Sequence, residues 1–185
     1  MKQDLRFEKT EKAIQTAFLS LLQQKELAKI SVKELCDVAE ISRNAFYQHY
    51  ETKEHLYESM LQAIVMSIEE GCKPLIKDLS TITEAEERLF LDNILLAVNH
   101  HRFAIYQLLT SQPGQFSKAF HEMLVQAMHQ SSEQIAVIPD TLFIHIFAGG
   151  IVAFVSYWLL ETSYSLEEAQ EKLFAVLGQL KVVNG

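Results

Sequence analysis

The sequence predicts an all-α protein: a small N-terminal head of three helices joined to a larger helical bundle. Three observations lead there. Only three prolines and six glycines occur in 185 residues, so long stretches are free to run as helix. Apolar side chains recur at three- and four-residue spacing along most of the chain. Two Ser-x-x-Glu boxes, Ser31/Glu34 and Ser165/Glu168, stand where helices should begin, because such a pair satisfies free amides at a helix start. A hydrophobic content of 49% with 22% charged residues fits a folded protein and excludes disorder.

Taken in order, residues 7–24 place Ile14, Ala17, Phe18, Leu21 and Leu22 on one stripe, which predicts a first amphipathic helix. Ser31 then opens a short helix whose apolar face is Val32, Leu35, Cys36 and Ala39. Glu40-Ile41 makes a turn, and Ser42 caps a second short helix from Arg43 to His49, with Ala45 and Phe46 directed inward. Arg43, Asn44, Tyr47, Gln48 and His49 are left as polar or amphipathic groups on that helix. Two short helices across a tight turn, the second rich in hydrogen-bonding side chains, describe a helix-turn-helix that enters a DNA major groove.

The run Ser31-Val32-x-x-Leu35-x-x-x-Ala39-x-Ile41-Ser42-Arg43-x-x-Phe46-Tyr47-x-x-Tyr50-x-x-Lys53-x-x-Leu56 resembles the signature of the TetR family of bacterial transcription regulators. The resemblance covers the first third of the chain. It departs at the turn, where Glu40 stands in place of the usual glycine, so Glu40 is expected either to adopt a positive φ or to widen the turn. The resemblance implies a head at residues 5–66 and a ligand-binding and dimerisation body at 67–185. It also implies DNA contacts from Ser31, Ser42, Arg43, Asn44, Ala45, Tyr47, Gln48, His49 and Lys53. Lys53, at the start of the next helix, is expected to hold a phosphate. The implied partner is a near-palindromic double-stranded operator, bound by a homodimer that acts as a small-molecule-responsive repressor.

Beyond the head, Leu56, Met60, Ile64 and Ile68 continue one helical face, and Gly71 to Thr83 reads as a linker. Residues 84–111 predict one long helix, ended by Gln112-Pro113-Gly114, and residues 115–130 predict another. A loop with Pro139 follows. Residues 141–160 then contain no charged side chain, which is enough length to span a bilayer. Flanking Asp140 and Glu161, an internal His145 and the lack of a comparable segment favour a buried helix or an interface. Gly149-Gly150 would let another backbone approach closely. With the last helix, whose stripe is Leu173, Phe174, Val176, Leu177 and Leu180, the expected dimer seam is residues 141–161 and 166–181.

The seven histidines include no His-x-x-x-His pair, and His100-His101, being adjacent, should face different sides of a helix. No metal, cofactor or catalytic site is therefore expected, and two widely separated cysteines suit a reducing cytoplasm. A small-molecule pocket is expected from His100, Phe103, Tyr106, Phe120, His121 and Trp158, because apolar walls with a few polar groups suit such a ligand. The net charge of −8 divides unevenly: residues 1–60 carry nine Lys+Arg against ten Asp+Glu, so the acidity lies in the body. Two other readings are a regulator controlled through a protein partner and, more remotely, an all-α enzyme or carrier.

Overall fold

The computed structural model describes residues 2–72, 83–132 and 141–182. The described residues are helical throughout, without strands. The head comprises α1 (Lys2–Leu22), a single 3-10 turn (Leu27–Lys29), α2 (Val32–Val38) and α3 (Arg43–His49). Its core is Ile14, Phe18 and Leu21 from α1, closed by Leu27, Ile30, Leu35, Cys36, Phe46 and Tyr50. The α-helical positions among these lie on the stripe their period predicts, while Leu27, Ile30 and Tyr50 close the core from the connecting segments.

The body begins within α4 (Lys53–Cys72), whose first turn is capped by the Thr52 hydroxyl accepting from His55 N at 3.0 Å. This helix runs unbroken past residue 66, so head and body share it. Near its start the Tyr57 hydroxyl donates to Leu108 O at 3.2 Å in the interior. Burial pushes the Tyr57 phenol up to about 12, so it stays a neutral donor.

The long helix expected over 84–111 is two helices, α5 (Glu84–His100) and α6 (Arg102–Ser111), separated at His101 with φ −100° and ψ 13°. No glycine or proline marks this break. The His101 ring bonds Ser67 Oγ of α4 at 3.0 Å, a tertiary anchor invisible in local sequence. The break also corrects the expectation for the histidine pair: His100 and His101 meet edge to face with centroids 4.8 Å apart. Adjacent residues diverge only on a continuous helix.

α5 begins at Glu84, where the sequence predicts a helix, and Thr83 caps it with a complete capping box to Glu86. Gly114 has φ +92°, a conformation that favours glycine, and permits the reversal into α7 (Gln115–Ser132). The linker from 73 to 82 and the loop from 133 to 140 lie outside the described residues.

α8 (Thr141–Glu161) packs along α7 and touches α9 (Leu166–Val182). Ser165 and Glu168 form the predicted capping box at 3.2 and 2.8 Å. The two glycines of α8 divide their roles. A Cβ on Gly150 would stand 3.2 Å from Leu177 Cδ2, so this glycine seats α9, whereas Gly149 has open space beside it. The Trp158 indole, fully buried, donates to Tyr164 O at 3.0 Å and carries the Arg102 guanidinium 4.8 Å above its ring. α8 has a mean hydropathy of 1.9, apolar enough to cross a membrane, but 44% of that window is buried inside the protein.

Candidate nucleic-acid interface

The helix-turn-helix is built by its caps. Ser31 Oγ accepts from Glu34 N at 3.2 Å and Ser42 Oγ accepts from Ala45 N at 3.1 Å. The first box is only half formed. The Glu34 carboxylate turns away from its own cap to pair with Lys25 Nζ at 2.6 Å, and that hydrogen bond holds the carboxyl below its usual range. Thus the 22–30 segment is tied to α2 by charge, a link between residues nine apart that no helix signal encodes.

Between the two helices, Glu40 has φ +55°. The usual glycine conformation is kept with a side chain in it, at a cost of about 1–2 kcal/mol for an L residue. Glu40→Gly is expected to raise unfolding stability by about 0.5–1 kcal/mol, the net of strain relief and the looser unfolded chain. Urea unfolding measures it directly. A destabilised Gly variant would show that the Glu40 side chain contributes contacts outweighing its strain.

On α3, Phe46 is fully buried and Tyr50 nearly so, while Arg43, Asn44, Tyr47 and Gln48 are exposed. Tyr47 is 56% exposed, high for a large aromatic ring, and stands edge-on to Phe46 at 5.5 Å. Tyr50 is fixed to α1: its hydroxyl donates to Glu11 Oε1 at 3.1 Å and accepts from Gln15 Nε2 at 3.2 Å. Burial is the chief reason its phenol rises to about 12. Four polar or amphipathic side chains therefore leave the protein together from a helix whose other face is anchored.

Two expected contact residues are placed differently. His49 is half-buried and stacks on Phe7, with centroids 3.8 Å apart and 26° between the planes, and its Nδ1 has no partner among the described residues. Burial lowers its pKa, against the smaller pull of Glu11. Because the folded pKa is lowered, proton uptake favours the unfolded chain. Stability is full above 6.5 and declines as pH falls below it. His49→Phe keeps the stack and is expected to flatten that decline, as read from urea unfolding midpoints across pH. An unchanged slope would assign the decline elsewhere, His101 being lowered by burial as well.

Lys53 is the larger departure. Its ammonium donates to Leu27 O at 2.8 Å, Ala28 O at 3.0 Å and Ile30 O at 2.7 Å, and only 16% of the side chain is exposed. All three of its donors are occupied within the chain. The side chain braces the start of α4 against the carbonyls that precede Ser31 and does not project freely toward a phosphate.

Ser31 and Ser42 are exposed and Ala45 is half-buried, so all three can be approached from outside. Residues 15–60 match the pattern of the bacterial regulatory proteins of the tetR family. The chain's head carries the sequence pattern of the TetR family. A relative from Bacillus subtilis (strain 168), the uncharacterized HTH-type transcriptional regulator YxbF, is 22% identical over 175 residues, 93% of this chain. The chain spans 46% of that relative's length. Among solved structures, a TetR transcriptional regulator from Streptococcus agalactiae 2603V is 24% identical with a TM-score of 0.63, covering 96% of this chain and 98% of its own. NalD, the secondary repressor of the MexAB-OprM multidrug efflux pump in Pseudomonas aeruginosa, is 18% identical with a TM-score of 0.67, covering 93% and 95%. These likenesses establish the fold of head and body together.

Among the described residues, the six expected to line a ligand pocket lie in several places. Phe120 is buried beside Phe116, with centroids 5.5 Å apart, and Trp158 is buried against Tyr164. Phe103 is half exposed. His121 is half-buried, stacked on His145 of α8 at 5.3 Å. His100 lines an open groove of about 500 Å³ between α4 and α5, with Asn93, Asn99 and Ser67. Tyr106 lines a different groove, between the end of α1 and α6. An aromatic at helical spacing marks a face, and the neighbour it faces is decided by tertiary packing.

Proposed function

We propose that this TetR-family chain is a cytoplasmic, homodimeric repressor that binds a near-palindromic operator and is released by a small molecule. The observation that carries the reading is the row Arg43, Asn44, Tyr47 and Gln48, exposed together on a helix capped at Ser42 and anchored through Phe46 and Tyr50. Arg43 and the two amides supply the donors and acceptors that read base edges, and Tyr47 supplies a hydroxyl for phosphate and a ring for a thymine methyl. Capping hydroxyls at Ser31 and Ser42 sit at helix starts, where a backbone phosphate is favoured.

The dimer reading is supported by α8. Leu142, Ile146, Tyr157 and Leu160 are exposed at helical spacing, with Gly149 and Ala153 between them. Large side chains at both ends and small ones in the middle let a second α8 cross closely. Val176 of α9 adds a further exposed apolar group.

Selection of random duplex DNA on the purified protein at two salt concentrations tests the reading. An inverted repeat with a steep salt slope is expected. Arg43→Ala is expected to cost about 1–3 kcal/mol on that site and to relax preference at one position of each half-site. A folded dimer that enriches no sequence would overturn the assignment.

A further inference from the structure

The end of α1 and the turn after it belong to the head, and α6 belongs to the body. Between them lies an open groove of about 700 Å³. Its lining includes Gln107, which is only 4% exposed, and no described residue hydrogen-bonds the Gln107 side-chain amide. A primary amide brings two donors and an acceptor, and although the residue is mostly buried its amide is not among the fully buried unpartnered atoms, so its polar end opens onto the groove. Gln23 and Gln24 add two more amides from the opposite wall. The Thr110 and Ser111 hydroxyls donate to Tyr106 O at 2.9 Å and Leu108 O at 3.3 Å, which leaves their oxygens as acceptors. Tyr106, 42% exposed, offers a ring at the side.

The charge of the groove narrows the ligand. Lys25 pairs with Glu34 at 2.6 Å and Lys29 with Glu26 at 3.3 Å, so the two ammonium charges are balanced and the groove has no net positive charge to favour an anion. Leu22 is the sole aliphatic lining residue, too little for an apolar compound. Amides and hydroxyls around one aromatic ring match vicinal hydroxyl groups with a C–H face between them. We propose that this groove binds a neutral polyhydroxylated molecule, a sugar or polyol, with the Gln107 amide beneath it and Tyr106 alongside.

The occupant would touch α1 and α6 at once, so its affinity depends on how the head sits on the body. By reciprocity it would then alter operator affinity, and this coupling rests on the DNA-binding reading above.

Binding is tested without DNA. The full chain is melted with glucose, maltose, glycerol or sorbitol, each at about 5 mM. A ligand with a dissociation constant near ~0.1 mM should raise the melting temperature by roughly 5 °C. Gln107→Leu keeps the volume and removes the amide. It is expected to fold and to lose the shift. Should that variant not fold, Tyr106→Ala, altered at an exposed ring, is expected to weaken the shift at least tenfold in ligand concentration. No shift with any of the four compounds, or an equal shift in a folded Gln107→Leu protein, overturns the site. Operator affinity is then measured with the bound compound. A change supports the coupling, and none removes the coupling while leaving the site. Absence of operator binding without any compound is a failure of the DNA reading alone.

Discussion

Lys53→Met is expected to lower the stability of the protein by about 2–3 kcal/mol, the cost of leaving three carbonyls without their charged donor. The salt dependence of operator binding should stay at its original slope. The stem of methionine fills the same channel, so the change isolates the ammonium. Its three bonds, to Leu27, Ala28 and Ile30, hold the first residue of α4 against the residue that precedes the α2 cap. A phosphate-binding lysine predicts the reverse pattern, little loss of stability and a slope reduced by about 0.9 for each lost contact. Urea unfolding together with anisotropy titrations at several salt concentrations distinguishes the two. Wild-type stability with a shallower slope would return Lys53 to the DNA backbone.

Ile146→Asp is expected to weaken self-association a hundredfold or more, about 2.8 kcal/mol, by placing a carboxylate in the middle of the outward α8 stripe. Ile146 is 54% exposed in the single chain, so the monomer should keep its helical content. Leu96→Asp is the matched control: Leu96 is 55% exposed, but on α5. Sedimentation across a concentration series reads both. Equal effects would show that exposed apolar area in general, and not the α8 seam, drives association. An unaffected dimer would place the interface on another face.

The two predictions also show what the sequence could convey. Ser31, Ser42 and Ser165 were readable as caps because a cap is decided within four residues, whereas the sequence allows the turn at Glu40 either a positive φ or a wider course, and φ +55° decides it. The α-helical part of the head core followed from period, whereas Leu27, Ile30 and Tyr50, in the connecting segments, did not. Lys53 was legible as a helix start but not as a brace, since its acceptors lie 23 to 26 residues away. Glu34 illustrates the same limit, choosing Lys25 over its own cap. The break at His101 carries no glycine or proline, and the bond of its ring to Ser67 of another helix has no local signal. The ligand set is spread by tertiary packing over several places among the described residues. Its six residues are all aromatic, and hydrophobic period cannot separate a ring that fills a core, as Phe120 does, from one that walls a groove, as Tyr106 does. Gln107 was passed over because a glutamine inside an apolar helix gives no signal until its burial is known.

The continuity of α4 has a mechanical consequence. Twenty residues at 1.5 Å rise make a rod about 30 Å long, gripped in the body and carrying the reading helices at its free end. Tyr57, bonded to Leu108, lies one turn from that free end, so α6 pushes on the rod close to its load. A tilt of about 5° about the body end swings the tip by roughly 2.6 Å. In the proposed dimer the two reading heads would have to sit about 34–36 Å apart to enter successive major grooves, and opposed swings of that size would shift their spacing by some 5 Å. A displacement too small to disturb any core residue would therefore suffice to take both heads out of register with the duplex.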